Sequence, residues 1–157
     1  MIRKLGNFFR EIKFAVQRAR RGFCDRDVWE INTWFLTILP KMLLELEKHH
    51  TGYPFSIKDA WFEAHREAFA DAVREYEASY REEMSWQEFF HFRYADTDDR
   101  EEQYDQLWCD TLRRMAFLFS EAAKNEITTD EDKRAYYESC QAEGLGLFAK
   151  HFGDLWD

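Results

Sequence analysis

The sequence contains little glycine, proline and cysteine, with six, two and three copies in 157 residues. Because Gly and Pro mark turns, their scarcity predicts long elements joined by few loops. Cys24, Cys109 and Cys140 are odd in number and far apart, which favours reduced buried thiols over a disulfide framework. We therefore expect a protein of a reducing compartment, built from a small number of long elements.

Long hydrophobic runs are also missing. No segment approaches the about 18 uninterrupted apolar residues of a membrane span. The N-terminus is basic, but it has neither the apolar segment nor the small-residue cleavage site of a signal peptide. We expect one soluble domain over residues 1–157, located in the cytoplasm and without a membrane span.

The short motifs that carry common catalytic chemistry are absent. There is no Gly-x-Ser-x-Gly, no Gly-rich phosphate loop and no His-Glu-x-x-His. Asp96-x-Asp98 has the spacing of a calcium loop, but Arg100 occupies a ligand position and the required glycine is missing. We therefore favour a binding protein over an enzyme and predict no catalytic residue, no metal and no cofactor.

Two Glu-x-x-His pairs keep a metalloenzyme as an alternative. Glu47 with His50, and Glu88 with His91, match the element that di-iron carboxylate bundles use twice. Chance alone supplies pairs of this kind in a chain so rich in glutamate, and Glu47 and His50 fall at a predicted helix end. A di-metal helical oxidoreductase is thus the less favoured alternative.

Apolar and aromatic residues are abundant and follow helical register. They make up 45% and 18% of the chain, which is enough for a folded core despite the charge. No segment of useful length alternates with period two, so no strand is predicted. On a wheel of 100° per residue, one arc of about 140° has the width of a core-facing stripe. It contains Ile2, Leu5, Phe8, Phe9, Ile12, Ala15, Val16 and Ala19.

Glycine, proline and capping residues place the boundaries of the first helices. Gly22 is predicted to end the first helix in a left-handed conformation. Asp25 or Asp27 is predicted to cap the second helix, whose apolar pattern continues to Leu46. Pro40 lies within that pattern and is expected to kink the helix rather than end it.

Three Ser or Thr residues, each followed three positions later by an acidic residue, predict further helix starts. They are Ser56, Ser85 and Thr128. The helix that starts near Ser56 is expected to run to Tyr80, and another helix follows the acidic stretch that begins at Asp96. The sequence therefore predicts an all-α, single-domain bundle of five or six helices.

The sign of the charge changes near residue 26. Residues 1–26 contain eight Lys or Arg against Glu11 and Asp25, a net charge of +6; since the whole chain carries −9, residues 27–157 carry −15. This division predicts a basic amphipathic helix over residues 1–21, attached to an acidic helical body over residues 27–157. Net charge of this kind governs encounter and partner choice rather than fold.

The polar arc of the basic helix is the first candidate binding site. Phe14 lies in the middle of that arc and could stack on a base or fill a pocket of a partner. The alternative is that another layer of the bundle covers Phe14 while the arginines pair with the acidic body. The residues predicted to bind a partner are Arg3, Arg10, Phe14, Arg18 and Arg21.

The acidic stretch is the second candidate binding site. Carboxylates spaced along a rigid helix could imitate a phosphate backbone and compete for a basic groove. The alternative is a solvated helix start, where the helix dipole favours carboxylates. The residues of this predicted acidic face are Asp96, Asp98, Asp99, Glu101, Glu102 and Asp105.

Two tight corners complete the candidate residues. A Gly C-cap followed by Asp-Arg-Asp predicts a corner in which Arg26 pairs with Asp25 or Asp27, and Trp29 anchors the corner in the core. The Gly-Tyr-Pro sequence predicts a second corner. The residues of these structural corners are Gly22, Asp25, Arg26, Asp27, Trp29, Gly52, Tyr53 and Pro54.

These corners also carry a family resemblance. The segments concerned are 20–29 (RRGFCDRDVW), 50–54 (HTGYP) and 147–157 (LFAKHFGDLWD). They resemble small helical proteins encoded by bacteriophages and prophages, over roughly the first 54 and last 11 residues. The resemblance implies a phage accessory protein that acts in the host cytoplasm, and it brings no catalytic residues.

Taken with the charge pattern, this resemblance leads us to expect a protein that inhibits or redirects a host macromolecule. The target would be a host protein or nucleoprotein complex, including a defence complex of the kind that anti-CRISPR proteins block, and the means would be steric or electrostatic occlusion. The basic helix could add direct nucleic-acid binding or self-association into a homo-oligomer. The alternative is a virion or assembly component that binds DNA or a structural subunit.

Overall fold

The computed structural model describes residues 2–94 and 98–155, without the side chains of residues 2–7, 9 and 126. Over this part of the chain it contains eight α-helices and no strand. The helices are α1 (Ile2–Arg21), α2 (Asp25–Trp29), α3 (Ile31–His49), α4 (Phe55–Ala64), α5 (Ala70–Ser79), α6 (Trp86–Tyr94), α7 (Glu101–Ala122) and α8 (Glu131–His151). The predicted all-α bundle is therefore confirmed, with eight described helices instead of five or six.

The additional helices arise because two predicted helices are interrupted. Glu30, with φ −121° and ψ 45°, separates α2 from α3. His65 ends α4, and its backbone N–H is shared between the carbonyls of Trp61 and Phe62 at 3.1 and 3.2 Å. Shared bonds of this kind tighten the last turn, and a 3₁₀ turn over Arg66–Phe69 follows before α5 begins. Apolar periodicity did not reveal either break, because the apolar residues keep helical spacing across the single residue Glu30 and across the 3₁₀ turn.

Local capping signals were predicted with mixed success. Gly22 has φ +78° and ends α1, as predicted. Ser85 and Glu88 form the predicted capping box, with the Ser85 N–H donating to Glu88 Oε2 at 2.8 Å and the Glu88 N–H donating to Ser85 Oγ at 3.2 Å. α3 continues through Pro40.

Two predicted caps were wrong. α4 begins after Pro54 rather than at a Ser56 cap, because the Ser56 hydroxyl donates instead to Asp154 Oδ2 at 2.7 Å. α8 is capped by Asp130, whose Oδ1 accepts from the N–H groups of Asp132 and Lys133, and not by Thr128. At α4 a residue distant in sequence takes the hydroxyl of the predicted cap, and at α8 Asp130 lies directly before the first helical residue, two positions after Thr128.

Helix α7 is the centre of the fold and packs against α3, α8 and α4. Its buried stripe repeats every three or four residues, as expected for a helix whose apolar face meets the core. The stripe consists of Tyr104, Trp108, Leu112, Met115 and Phe119. On α8, a Cβ added at Gly144 would lie 3.2 Å from a ring carbon of Phe119, so the glycine permits close approach of the two helices.

A cluster of aromatic rings joins α4, α5 and α6. Phe90 of α6 is fully buried, and its ring centroid lies 3.8 Å from that of Phe62 and 4.7 Å from that of Phe69. Trp86 and Tyr76 extend the cluster at 5.4 Å. Aromatic rings bury large apolar areas, so this cluster accounts for much of the hydrophobic stabilisation at this end of the bundle.

None of the described helices is both long and apolar enough to cross a membrane.

Candidate functional site

The apolar stripe of α1 is exposed, which overturns its predicted contact with the core. Phe8 is 61% exposed, and Ile12 and Val16 also lie in solvent. Within the described part of the chain, α1 packs chiefly against the short helix α2. We call Phe8, Ile12 and Val16 the helix stripe. Three other predicted members of the stripe, Ile2, Leu5 and Phe9, lie outside the described side chains.

A second exposed apolar area lies at the corner that follows α1. Phe23, Val28, Ile31 and the half-buried Trp34 surround a shallow hollow of about 220 Å³ together with Asp27. Trp29 follows Val28 in the sequence and is the last residue of α2. Its side chain is 89% exposed, so the prediction that it anchors the corner in the core is wrong. We call the exposed residues the corner patch: Phe23, Val28, Trp29 and Ile31.

The first corner is held together by polar contacts. The Asp27 carboxylate is buried and accepts the Cys24 backbone N–H at 2.8 Å. The predicted cap by Asp25 or Asp27 is wrong, because Cys24 is the N-cap residue of α2 and Asp27 lies at the third position of the helix. Arg18 Nε donates to Asp27 Oδ2 at 2.9 Å, and these hydrogen bonds hold the pKa of the Asp27 carboxyl well below its usual range. Gln17 brackets Asp25 by donating to its Oδ2 at 2.7 Å and accepting its backbone N–H.

The basic side chains of α1 that form ion pairs do so mostly with acidic residues of the first 27 positions. Among the described residues, they do not pair with the acidic body beyond Asp27. Arg21 and Lys13 both bind Asp25, at 2.8 and 3.1 Å, and the hydrogen bond from Arg21 does most to lower the pKa of that carboxyl. Arg26 does not pair with Asp25 or Asp27 as predicted. It lies 3.9 Å from Glu11, and its guanidinium is 5.5 Å from the half-buried Phe14 ring.

Two predicted members of the basic arc stand apart from these pairs. Arg10 is exposed and forms no ion pair with a described residue. The side chain of Arg3 lies outside the described side chains. The described cations of the basic arc are thus largely paired, and the exposed feature of α1 is the helix stripe rather than free positive charge.

The predicted acidic face is not a continuous row of free carboxylates. Asp98 is buried to 3% side-chain exposure between Lys58 Nζ at 2.7 Å and Arg100 Nε at 2.8 Å, and Tyr104 donates its hydroxyl to it at 3.2 Å. Burial by itself would raise the pKa of Asp98, but the hydrogen bonds from Lys58 and Arg100 outweigh it and lower that pKa. Asp98 therefore holds α4 to the start of α7 and cannot imitate a phosphate.

The other predicted acidic residues differ in their surroundings. Asp105 Oδ1 lies 3.0 Å from His50 Nε2. Asp99, Glu101 and Glu102 are exposed at the start of α7. Asp96 lies outside the described residues. The exposed acidic face is consequently smaller than the sequence predicts.

The second predicted corner connects α3 to α4 and packs on the core. The Tyr53 ring centroid lies 5.2 Å from that of the buried Tyr104. Pro54 directly precedes the first residue of α4. Gly52 lies in the segment that connects α3 to α4 and is half-buried. These residues support the fold and present no exposed apolar area of their own.

A Ser–His–Asp group occurs near the end of the chain, but its geometry is structural. The buried His151 Nδ1 lies 3.2 Å from Asp154 Oδ2 and 3.5 Å from Ser56 Oγ, while Ser56 donates to the same Asp154 oxygen. A catalytic triad needs the serine and the carboxylate at opposite ring nitrogens. Here both meet Nδ1, so the group ties the start of α4 to the end of α8.

The two Glu-x-x-His pairs do not converge on one centre. His91 Nε2 contacts Asp59 Oδ1 at 2.9 Å, while Glu88 is engaged with Ser85. Glu47 forms an ion pair with Arg113 instead of sharing a ligand position with its neighbour His50. The pairing that sequence spacing suggested is therefore wrong.

His50 instead meets two residues of α7. Its Nε2 lies 3.0 Å from Asp105 Oδ1 and 3.8 Å from Cys109 Sγ, and the three potential ligand atoms lie within 4.8 Å of one another. It is the single group of three such side chains found in the described part of the chain. Burial raises the pKa of the Cys109 thiol. For His50, burial alone would lower the pKa, but the Asp105 carboxylate outweighs it and raises that pKa.

Comparison with known proteins does not add a relative: no family model, no curated protein and no solved structure matches this chain.

Proposed function

We propose that this chain is a binding protein that attaches to another protein through the helix stripe and the corner patch, and thereby blocks or redirects that partner. The complementary surface on the partner would be apolar at its centre, to suit the exposed apolar side chains of the helix stripe and the corner patch. The resemblance to phage accessory proteins supports a host protein, including a component of a defence complex, as the target.

The exposure of Trp29 is the observation that carries this proposal. A large aromatic side chain in water is a common centre of binding energy, because burying it in a partner removes 150–250 Å² of surface. Trp is enriched among interface residues whose truncation costs at least about 2 kcal/mol of binding free energy, or about thirtyfold in Kd. Phe23, Val28 and Ile31, which are also exposed and surround the hollow of the same corner, would supply further apolar contacts to the partner.

A protein partner accounts for this surface better than a nucleic acid does. Arg18, Arg21 and Lys13 are already in ion pairs, so phosphate contacts would have to displace Asp25 and Asp27. Protein surfaces that bind nucleic acid are polar and positively charged. A nucleic acid bound to the basic arc would therefore leave the helix stripe exposed to water. Mimicry of nucleic acid is weakened in turn, because Asp98 is buried and Asp105 is engaged by His50.

A pull-down from bacterial host lysate with matched variants tests the proposal. We expect the wild type to capture one stoichiometric protein in the presence of nuclease, and Ile31→Ala to lose it. Ile127→Ala is the control, because Ile127 is the same residue type, is even more exposed (86% against 68%) and is not among the residues that surround the hollow of the corner patch.

Three other outcomes would replace this proposal with a different function. Equal capture by Ile31→Ala and Ile127→Ala would move the interface away from the corner patch. Recovery of DNA that is lost steeply as salt rises would favour the virion or assembly alternative. A dimer mass by light scattering that Ile31→Ala reduces to a monomer would mean that a second copy covers the surface.

A further inference from the structure

We propose that His50, Asp105 and Cys109 form a binding site for a zinc ion. The three side chains offer one imidazole nitrogen, one carboxylate oxygen and one thiolate sulfur, all of which are zinc ligands in proteins. This site lies on α3 and α7, away from the corner patch, and it does not depend on the proposed function.

The fold places the three ligands on two rigid elements. Asp105 and Cys109 are four residues apart on α7, so they lie one above the other on the same helix face. His50 is the C-cap residue of α3, which packs along α7. Two of the ligand positions are therefore set by α7, and the third by the residue that directly follows α3.

The hydrogen bonding of His50 prepares its Nε2 for a metal. Its Nδ1 lies 2.9 Å from the Glu47 carbonyl oxygen and 3.3 Å from that of Leu46. A carbonyl can only accept, so Nδ1 must carry a proton and the neutral imidazole has its lone pair on Nε2. Histidines that bind metals use this arrangement, with the other ring nitrogen donating to a carbonyl or carboxylate. The Nε2 lone pair points at Asp105 and Cys109.

The spacing of the ligand atoms suits a tetrahedral ion. Zinc bonds of 2.0–2.3 Å at tetrahedral angles put nitrogen and oxygen ligands about 3.3 Å apart, and nitrogen and sulfur ligands about 3.6 Å apart. The distances here are 3.0 Å between His50 Nε2 and Asp105 Oδ1, and 3.8 Å between His50 Nε2 and Cys109 Sγ. Both distances from His50 lie within a few tenths of an ångström of those values, and Asp105 and Cys109 offer their ligand atoms within 4.8 Å of each other.

The surroundings favour a cation and leave it accessible. Asp105 is half exposed and opens the site to solvent, while His50 and Cys109 are buried on the inner side. Three protein ligands leave a fourth tetrahedral position for water or another ligand.

Titration of the reduced, full-length protein with Co²⁺ and Zn²⁺ tests the site, since Co²⁺ bound to a thiolate gives an intense charge-transfer absorption. We expect one Co²⁺ per chain with that absorption in the wild type, and its loss in Cys109→Ser. His50→Gln and Asp105→Asn should weaken Zn²⁺ binding by at least about tenfold. Cys140→Ser is the matched control, because Cys140 is also a buried free thiol and should leave both signals unchanged.

Two results would overturn the site. One is a charge-transfer absorption that survives Cys109→Ser or disappears in Cys140→Ser. The other is Zn²⁺ affinity that is absent in the wild type or equal in wild type and Asp105→Asn. Circular dichroism establishes that each variant is folded; if Cys109→Ser is not, the half-exposed Asp105→Asn decides the question.

Discussion

Two parts of this protein use the same kind of helix and treat its apolar face in opposite ways. α7 buries its apolar face between α3 and α8, and the side chains of Trp108 and Phe119 are almost completely buried. α1 has an apolar face of the same helical periodicity, yet Phe8, Ile12 and Val16 are exposed. A helical apolar face thus shows that something is to be covered, but not whether the same chain covers it.

The largest expected effect is on the buried side of this comparison. Trp108→Ala should lower the free energy of unfolding by about 3–5 kcal/mol, because it removes a large ring from a packed interior. Ile12→Ala, on the exposed face of α1, should change it by no more than about 0.5 kcal/mol. Urea denaturation of both variants checks the contrast. A loss above about 2 kcal/mol in Ile12→Ala would mean that the body covers the helix stripe.

The ion pairs of Asp98 are expected to give the next largest effect. Asp98→Asn should destabilise the fold by about 3 kcal/mol, because Lys58 and Arg100 lose their shared countercharge in a mostly buried place. Glu101→Gln, which changes an exposed carboxylate three residues further on, is the control and should be nearly neutral. Equal stability of the two variants would contradict the structural role of Asp98.

Asp98 should also leave a signature in the pH dependence of stability. Its pKa is lowered in the folded protein relative to about 3.9 in the unfolded chain, so its contribution is fully present above that value and is lost as the pH falls. The wild type should therefore lose stability more steeply below about pH 5 than Asp98→Asn does. Parallel profiles of the two proteins between pH 6 and 3 would refute this assignment.

A smaller effect distinguishes the two faces of α8. Gly144 faces α7, where a Cβ would lie 3.2 Å from Phe119 and 3.3 Å from Leu118, while a Cβ at Gly146 would meet nothing within 4 Å. Gly146→Ala should stabilise the protein by up to about 1 kcal/mol through helix propensity. Gly144→Ala should cost about 1 kcal/mol despite the same gain, because the packing must give way. Thermal unfolding of the two variants should shift in opposite directions, and equal shifts would contradict the close helix contact.

The sequence predicted features that depend on neighbours a few residues apart. The Ser85–Glu88 capping box, the left-handed Gly22 and the continuation of α3 through Pro40 all follow from local chemistry, and all were confirmed. The all-α class followed from helical periodicity in the same way. These signals are readable because each is complete within a single turn.

The rest depended on contacts between distant segments. Asp98 was grouped with exposed carboxylates because nothing near it in sequence indicates that Lys58 would reach it. The sequence analysis did not predict the group of His50, Asp105 and Cys109 for the same reason, because His50 and Asp105 are 55 residues apart. The four-residue spacing of Asp105 and Cys109, which puts both on one helix face, was a usable signal. Trp29 was expected in the core because large aromatic residues are usually buried, and the alternative of a partner covering it has no sequence signature.

The most direct test of the account is a paired measurement on Trp29→Ala, of unfolding free energy and of affinity for the captured partner. We predict a change in stability of less than about 0.5 kcal/mol, with a loss of about thirtyfold or more in affinity. Phe92 is also an exposed aromatic residue, but it lies on α6, outside the corner patch. Phe92→Ala should therefore change neither the unfolding free energy nor the affinity for the partner. A Trp29→Ala protein that binds its partner as tightly as the wild type, or that is strongly destabilised, would contradict the claim that the corner patch is a binding surface.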